Sequence, residues 1–129
     1  MKKIKTKFKN LFVLQGIKHR DKRGYLKEVF IEKEVKKKIK FTIVSCSNKN
    51  VLRGMHYQIK YPQDKFITVL KGQILDVVVD LRKKSKTFGK HFKIKLSDKN
   101  NKFLFVPKGF AHGFLGLDKE NLVLYSLTN

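Results

Sequence analysis

Four histidines, His19, His56, His91 and His112, are the side chains best suited to moving protons near neutral pH. Two of them stand in stretches whose neighbours add to that chemistry. His56 lies in Asn50-Val51-Leu52-Arg53-Gly54-Met55-His56-Tyr57-Gln58. On a regular strand, Arg53 and His56 are three residues apart and point to opposite faces. A bulge at Gly54 would bring both to one face and set a cation beside a base. His112 lies in Val106-Pro107-Lys108-Gly109-Phe110-Ala111-His112-Gly113-Phe114, where a Pro-x-Gly turn can hold a histidine at a barrel mouth. Residue type alone favours a hydrogen-bonded structural histidine at both positions. His91, among alternating lysines, is expected to face solvent, and His19 to lie in a polar loop.

A metal centre is not expected. Such a site in a small barrel needs a His-x-His pair, an acidic ligand and a later histidine. Gln58 stands where the second histidine of the pair belongs, and no suitably spaced glutamate follows. The single cysteine, Cys46, excludes an internal disulfide framework and a cysteine-rich zinc site.

The elements that must position these groups read as strands. Residues 41–45, 65–70, 73–81, 91–96, 102–106 and 122–127 are rich in β-branched and aromatic residues or alternate with period two. Gly72 between the second and third of these predicts a hairpin. The best helix candidate is short, over residues 31–38. Short strands, frequent turns and little helix mean an all-β sandwich or barrel, and a jelly roll of about eight strands fits 129 residues in a single domain spanning 1–129. In the strand over 74–81, Asp76 and Asp80 share one face and are the carboxylates placed to orient a histidine. Asp80 reads better as a structural carboxylate.

Charge is the most unusual global feature. There are 31 Lys and Arg against 10 Asp and Glu, a formal net charge of +21. Polyanionic partners follow as a first expectation. Yet only Arg20, Arg23, Arg53 and Arg82 are arginine, and the lysines are scattered from end to end. Base reading favours arginine, so no nucleic-acid partner is expected. No apolar run approaches a membrane span and no apolar signal core follows the basic N-terminus, so membrane association and secretion are not expected and the cytoplasm is the simplest compartment.

Taken in order along the chain, Asp21-Lys22-Arg23-Gly24, Asn50 to Gln58, Val69 to Arg82 with Thr87-Phe88-Gly89, Leu96-Ser97 with Asn100, and Val106 to Leu115 resemble the dTDP-4-dehydrorhamnose 3,5-epimerases. Arg-Gly-Met-His-Tyr-Gln and Pro-Lys-Gly-Phe-Ala-His-Gly-Phe are the specific motifs, and the likeness runs from about Phe12 to Asn129. It implies a cupin-type jelly roll, working without metal or other cofactor, usually as a homodimer, on a nucleotide-linked 4-keto-6-deoxy sugar. It implies roles residue by residue: His56 as general base, Lys65 beside the substrate ketone, Tyr125 as general acid, and Arg23, Glu28, Arg53 and His112 as substrate contacts.

Departures from the family pattern accompany the likeness. Ile43 and Ser45 stand where the family has Gln and Asn. The stretch from His56 to Lys65 is one residue short. The family's further C-terminal segment, with a base-stacking aromatic and an aspartate that orients the base histidine, has no counterpart here, which makes Asp76 the expected substitute. An N-terminal strand exchanged across a dimer is one route to completing the site. The alternatives are a sugar-nucleotide 3,4-ketoisomerase, whose His-x-His signature Gln58 opposes, and a non-catalytic sugar-nucleotide-binding relative.

Overall fold

A computed structural model describes residues 1–129, and nearly every element is a strand. In chain order these are β1 (Lys2–Lys5), β2 (Phe12–Gln15), β3 (Lys18–Asp21), β4 (Gly24–Lys27), the one-turn helix α1 (Glu32–Val35), β5 (Phe41–Asn48), β6 (Leu52–His56), β7 (Lys65–Lys71), β8 (Gln73–Asp80), β9 (His91–Ser97), β10 (Lys102–Val106), β11 (Phe110–Gly116) and β12 (Glu120–Leu127). A six-stranded sheet runs β1-β2-β10-β7-β12-β5 and a four-stranded sheet runs β6-β11-β8-β9, while β3 and β4 form a separate hairpin. Every pairing is antiparallel. The result is a cupin-like jelly roll.

The two sheets close on an apolar core. Ile67 and Val69 of β7, Leu104 and Val106 of β10 and Val123 of β12 meet Ile74 and Val78 of β8, Leu96 of β9 and Phe114 of β11. A second cluster, with Phe12, Phe66, Phe103 and Phe105, lies on the other face of the six-stranded sheet beneath Val35 of α1. Phe66 stacks on Phe103 with ring centres 5.6 Å apart. Both faces of β7 and β10 are therefore covered, which explains their nearly continuous apolar runs.

Three expectations change. β7 and β8 do not pair as a hairpin. Gly72, with a φ of 87°, turns the chain from the six-stranded sheet into the four-stranded one, and each strand finds its partners there. A turn residue marks where the chain reverses but not which neighbour it then meets. His19 lies in strand β3 and is exposed there, not in a loop. The strands β1, β2, β3, β4 and β11 were not among those expected: β1 and β3 are mostly charged, β2 and β4 are only four residues long, and β11 carries two glycines.

The alternation in β8 holds without a break, burying Ile74, Asp76, Val78 and Asp80. Asp80 is structural. Its carboxylate takes hydrogen bonds from Arg82 Nε at 2.9 Å and Nη2 at 3.0 Å, Ser85 Oγ at 2.6 Å and Thr87 Oγ1 at 2.5 Å. Burial pushes its carboxyl up, but these donors outweigh burial and hold it well below the usual carboxylate range.

Candidate active site

One edge of the sandwich stays open, between β5 at the margin of one sheet and β6 at the margin of the other. A cavity of about 280 Å³ enters there. The four-stranded sheet supplies Arg53 and His56 from β6 and His112 from β11. The six-stranded sheet supplies Ser45 from β5, Lys65 from β7 and Tyr125 from β12.

The bulge expected at Gly54 is present. His112 pairs with His56 and Phe114 with Arg53, so two steps along β11 match three along β6. The extra residue returns Arg53 and His56 to one face, where both line the cavity. Glycine is required here. Gly54 has a φ of 107°, and a Cβ on it would lie 2.7 Å from both Gly113 Cα and the His112 carbonyl oxygen. Across the same contact, a Cβ on Gly113 would lie 2.8 Å from the Arg53 carbonyl oxygen.

Arg53 is steadied from below. Its Nε donates to Ser47 Oγ at 2.7 Å and its Nη2 to the Cys46 carbonyl at 3.3 Å. His56 is exposed at the rim, and no carboxylate lies within ion-pair distance of it. Asp76 does orient a histidine, but that histidine is His112 and not His56. Its Oδ2 lies 2.8 Å from His112 Nε2, with both residues buried. The topology explains the difference: β8 pairs directly with β11, whereas β6 lies one strand further out.

Charge in this cavity is tuned by burial. Asp76 is fully buried, which pushes its carboxyl above the usual range, while His112 and Lys65 pull it back. Burial lowers the Lys65 ammonium and the nearby Asp76 charge offsets part of that. Burial also raises the Tyr125 phenol to about 12, with Asp76 adding to the rise and Ser45 and Arg53 opposing it. Ser45 Oγ donates to the Tyr125 oxygen at 3.5 Å, leaving the tyrosine's own proton free to be given. The Tyr125 ring is held edge-on to His112, with centres 6.3 Å apart, and against Phe114 at 6.2 Å.

The structure thus gathers His56, Lys65, Tyr125, Arg53 and His112 around one cavity, and the short 57–64 stretch still delivers Lys65 to it. It does not bring Arg23 or Glu28 there. Arg23 lies in the β3–β4 turn, paired with Asp21 at 2.6 Å, and Glu28 follows β4 on the surface. Sequence reasoning missed Phe114, Leu127 and Gln63 as lining residues. Period two was the available signal for the first two, since Phe114 follows His112 by two and Leu127 follows Tyr125 by two. No pattern marked Gln63. No three His, Cys, Asp or Glu side chains converge anywhere in the chain.

Known proteins share this sequence pattern and fold. A model of the family described as dTDP-4-dehydrorhamnose 3,5-epimerase matches residues 5–129. A dTDP-4-dehydrorhamnose 3,5-epimerase of Methanothermobacter thermautotrophicus is 42% identical, the match covering 97% of this chain and 70% of that protein. The enzyme of that name from Shigella flexneri is 39% identical, over 100% of this chain and 75% of its own. Among solved structures, the Legionella pneumophila dTDP-6-deoxy-D-glucose-3,5-epimerase in complex with dTDP-4-keto-L-rhamnose superposes with a TM-score of 0.94. It is 35% identical, covering 99% of this chain and 71% of that one.

Two outcomes follow from the geometry. Gly54→Ala meets backbone at 2.7 Å and a strained φ, so thermal or urea unfolding should show a loss on the order of 2 kcal/mol. In a spectrophotometric titration of the folded protein, one phenol should ionise at a pH of about 12, and Tyr125→Phe should remove that step. The raised phenol also means that the stability this proton confers is full below the ordinary tyrosine value of 10.0 and is lost as pH climbs through about 12.

Proposed function

The chain belongs to the dTDP-4-dehydrorhamnose 3,5-epimerase family, and on that premise we propose how its cavity inverts C3, C5 or both of a nucleotide-linked 4-keto-6-deoxy sugar. The ketone at C4 makes the protons on C3 and C5 acidic. His56, as the base, removes one. The carbon–hydrogen electron pair moves into the ring and the ketone oxygen becomes an enolate oxygen. Lys65, with His112 beside it, stabilises the negative charge as it grows there. Tyr125 returns a proton to the opposite face of the same carbon, and the centre is inverted.

The observation that carries this reading is that base and acid come from different sheets. His56 stands on β6 of the four-stranded sheet and Tyr125 on β12 of the six-stranded sheet, with one cavity between them. Inversion requires proton removal and return on opposite faces, and a sandwich with one group on each wall supports that. A buried phenol with a raised pKa keeps its proton until substrate arrives, as an acid must. Asp76 holds His112 by its ring nitrogen and so fixes the direction of the imidazole toward the ketone. Arg53 is the cation suited to the diphosphate of the nucleotide. No resident metal or organic cofactor has a step in this sequence.

The protein acts as a homodimer in this reading, in the cytoplasm, as part of deoxysugar and surface-polysaccharide synthesis. Ile43, Val44, Leu52, Met55 and Tyr57 are exposed on β5 and β6 and the residue after it, an apolar margin that a second copy would cover. Arg23 and Glu28, outside their own cavity, would then have the partner's cavity within reach.

Incubation with dTDP-4-keto-6-deoxyglucose in D2O, followed by NMR, tests the reaction. Deuterium should enter C3, C5 or both. Relocation of the carbonyl would mark a 3,4-ketoisomerase instead, and no exchange from folded protein would mark a non-catalytic relative. His56→Ala should abolish exchange, and Tyr125→Phe should spare deprotonation more than inversion. Sedimentation equilibrium should give twice the chain mass; a monomer would remove the shared site.

A further inference from the structure

A second and larger cavity, of about 660 Å³, opens between β1, the β2 entry, α1 and the turn joining β10 to β11. Six cations line it: Lys3, Lys5, Lys9, Lys37, Arg82 and Lys108. Against them stands one carboxylate, Asp64. Its floor is apolar, formed in part by Phe8, Phe12 and Phe105.

The local pairings leave most of this charge unanswered. Asp64 is buried and committed. Its Oδ1 accepts the Lys108 backbone N–H at 2.8 Å, and its Oδ2 lies 3.4 Å from Lys37 Nζ. Arg82 is committed to Asp80 and to the Lys9 carbonyl, at 2.8 Å for the latter. Lys3 lies over the Phe12 ring at 3.9 Å. None of the Lys3, Lys5, Lys9 and Lys108 side chains has a carboxylate within ion-pair distance.

Four unpaired ammonium groups around one concavity repel one another. Low-dielectric walls also concentrate their field in the space between them. A compact ligand of several negative charges relieves that repulsion at every contact. A monoanion answers only one group. Lysine, a flexible point charge, holds phosphate oxygens without the planar fork that arginine imposes on a carboxylate or a single phosphate. We propose that this cavity is a binding site for a polyphosphate group, separate from the catalytic cavity. The two share no lining residue. Asp64 lines one and Lys65, the next residue, lines the other.

Calorimetric titration with inorganic tripolyphosphate at low salt tests the site, using two triple variants of equal charge. Lys5→Gln, Lys9→Gln and Lys108→Gln together should weaken binding about tenfold or more, since exposed pairs contribute modestly but add. Lys93→Gln, Lys95→Gln and Lys99→Gln, exposed on and just after β9 and away from the cavity, should change it less than about twofold. Equal weakening by both triples would mean attraction to net charge alone and would overturn the site. So would binding that survives the first triple and is lost in Arg53→Ala, which would place the ligand in the catalytic cavity. The single variants Lys5→Gln and Lys9→Gln, both exposed, should each show part of the loss, so the result does not depend on the triple alone.

Discussion

The close approach of Gly54 to Gly113 governs the catalytic face. Two strands meet there with no side chain between them, and the three-to-two register of β6 on β11 depends on it. A regular ladder would turn either Arg53 or His56 away from the cavity. The bulge lets both face it beside His112, so two imidazoles and a guanidinium share one wall. The opposite wall needs no such device. Lys65 pairs across with Leu127, and Tyr125 lies two residues before Leu127, so ordinary period-two alternation presents both.

Burial sets the electrostatics of that arrangement. Asp76 has no contact with water and only one hydrogen-bonding partner, His112, with its Oδ1 left unpaired. A buried carboxylate is costly, and the site offsets the cost with the imidazole it orients and the nearby Lys65 ammonium. Removing any one of the three would leave the others with a charge or a lone pair unanswered. Burial holds the Tyr125 proton in place, and the Asp76 charge adds to the effect. His56 and Arg53 stand exposed and clear of this buried set, at the rim of the cavity.

Much of the fold and the site was legible in the sequence, for reasons that differ from residue to residue. Alternation in the 73–80 stretch put Asp76 and Asp80 on one face, because side chains on a strand repeat with period two; that this face is the inner one came from the fold. Gly54 allowed for a bulge in the sequence, since glycine accepts the backbone conformation a bulge needs, and the close approach to Gly113 then appeared in the fold. The partner of Asp76 was not legible, since it depends on which strand lies beside β8, and strand order is a long-range property. The same blindness produced the hairpin expected across Gly72. Lys65 and Tyr125 came into view only through family likeness; nothing in their local pattern marks them, because their roles arise from two sheets closing on each other. The charge of +21 pointed toward nucleic acid at first sight. Folded, six of those cations border a concave pocket away from the catalytic wall, while the cations that line the catalytic cavity itself are only Arg53 and Lys65.

Opposition of His56 and Tyr125 across the cavity is the claim on which the chemistry turns. A crystal structure of the protein with a dTDP-linked 4-keto sugar, or a non-reacting analogue, measures it directly. The predicted result is His56 and Tyr125 on opposite faces of the sugar ring, each about 3–3.5 Å from the same carbon or its proton. A ring with both side chains on one face, or a sugar seated away from the β5–β6 edge, would contradict it.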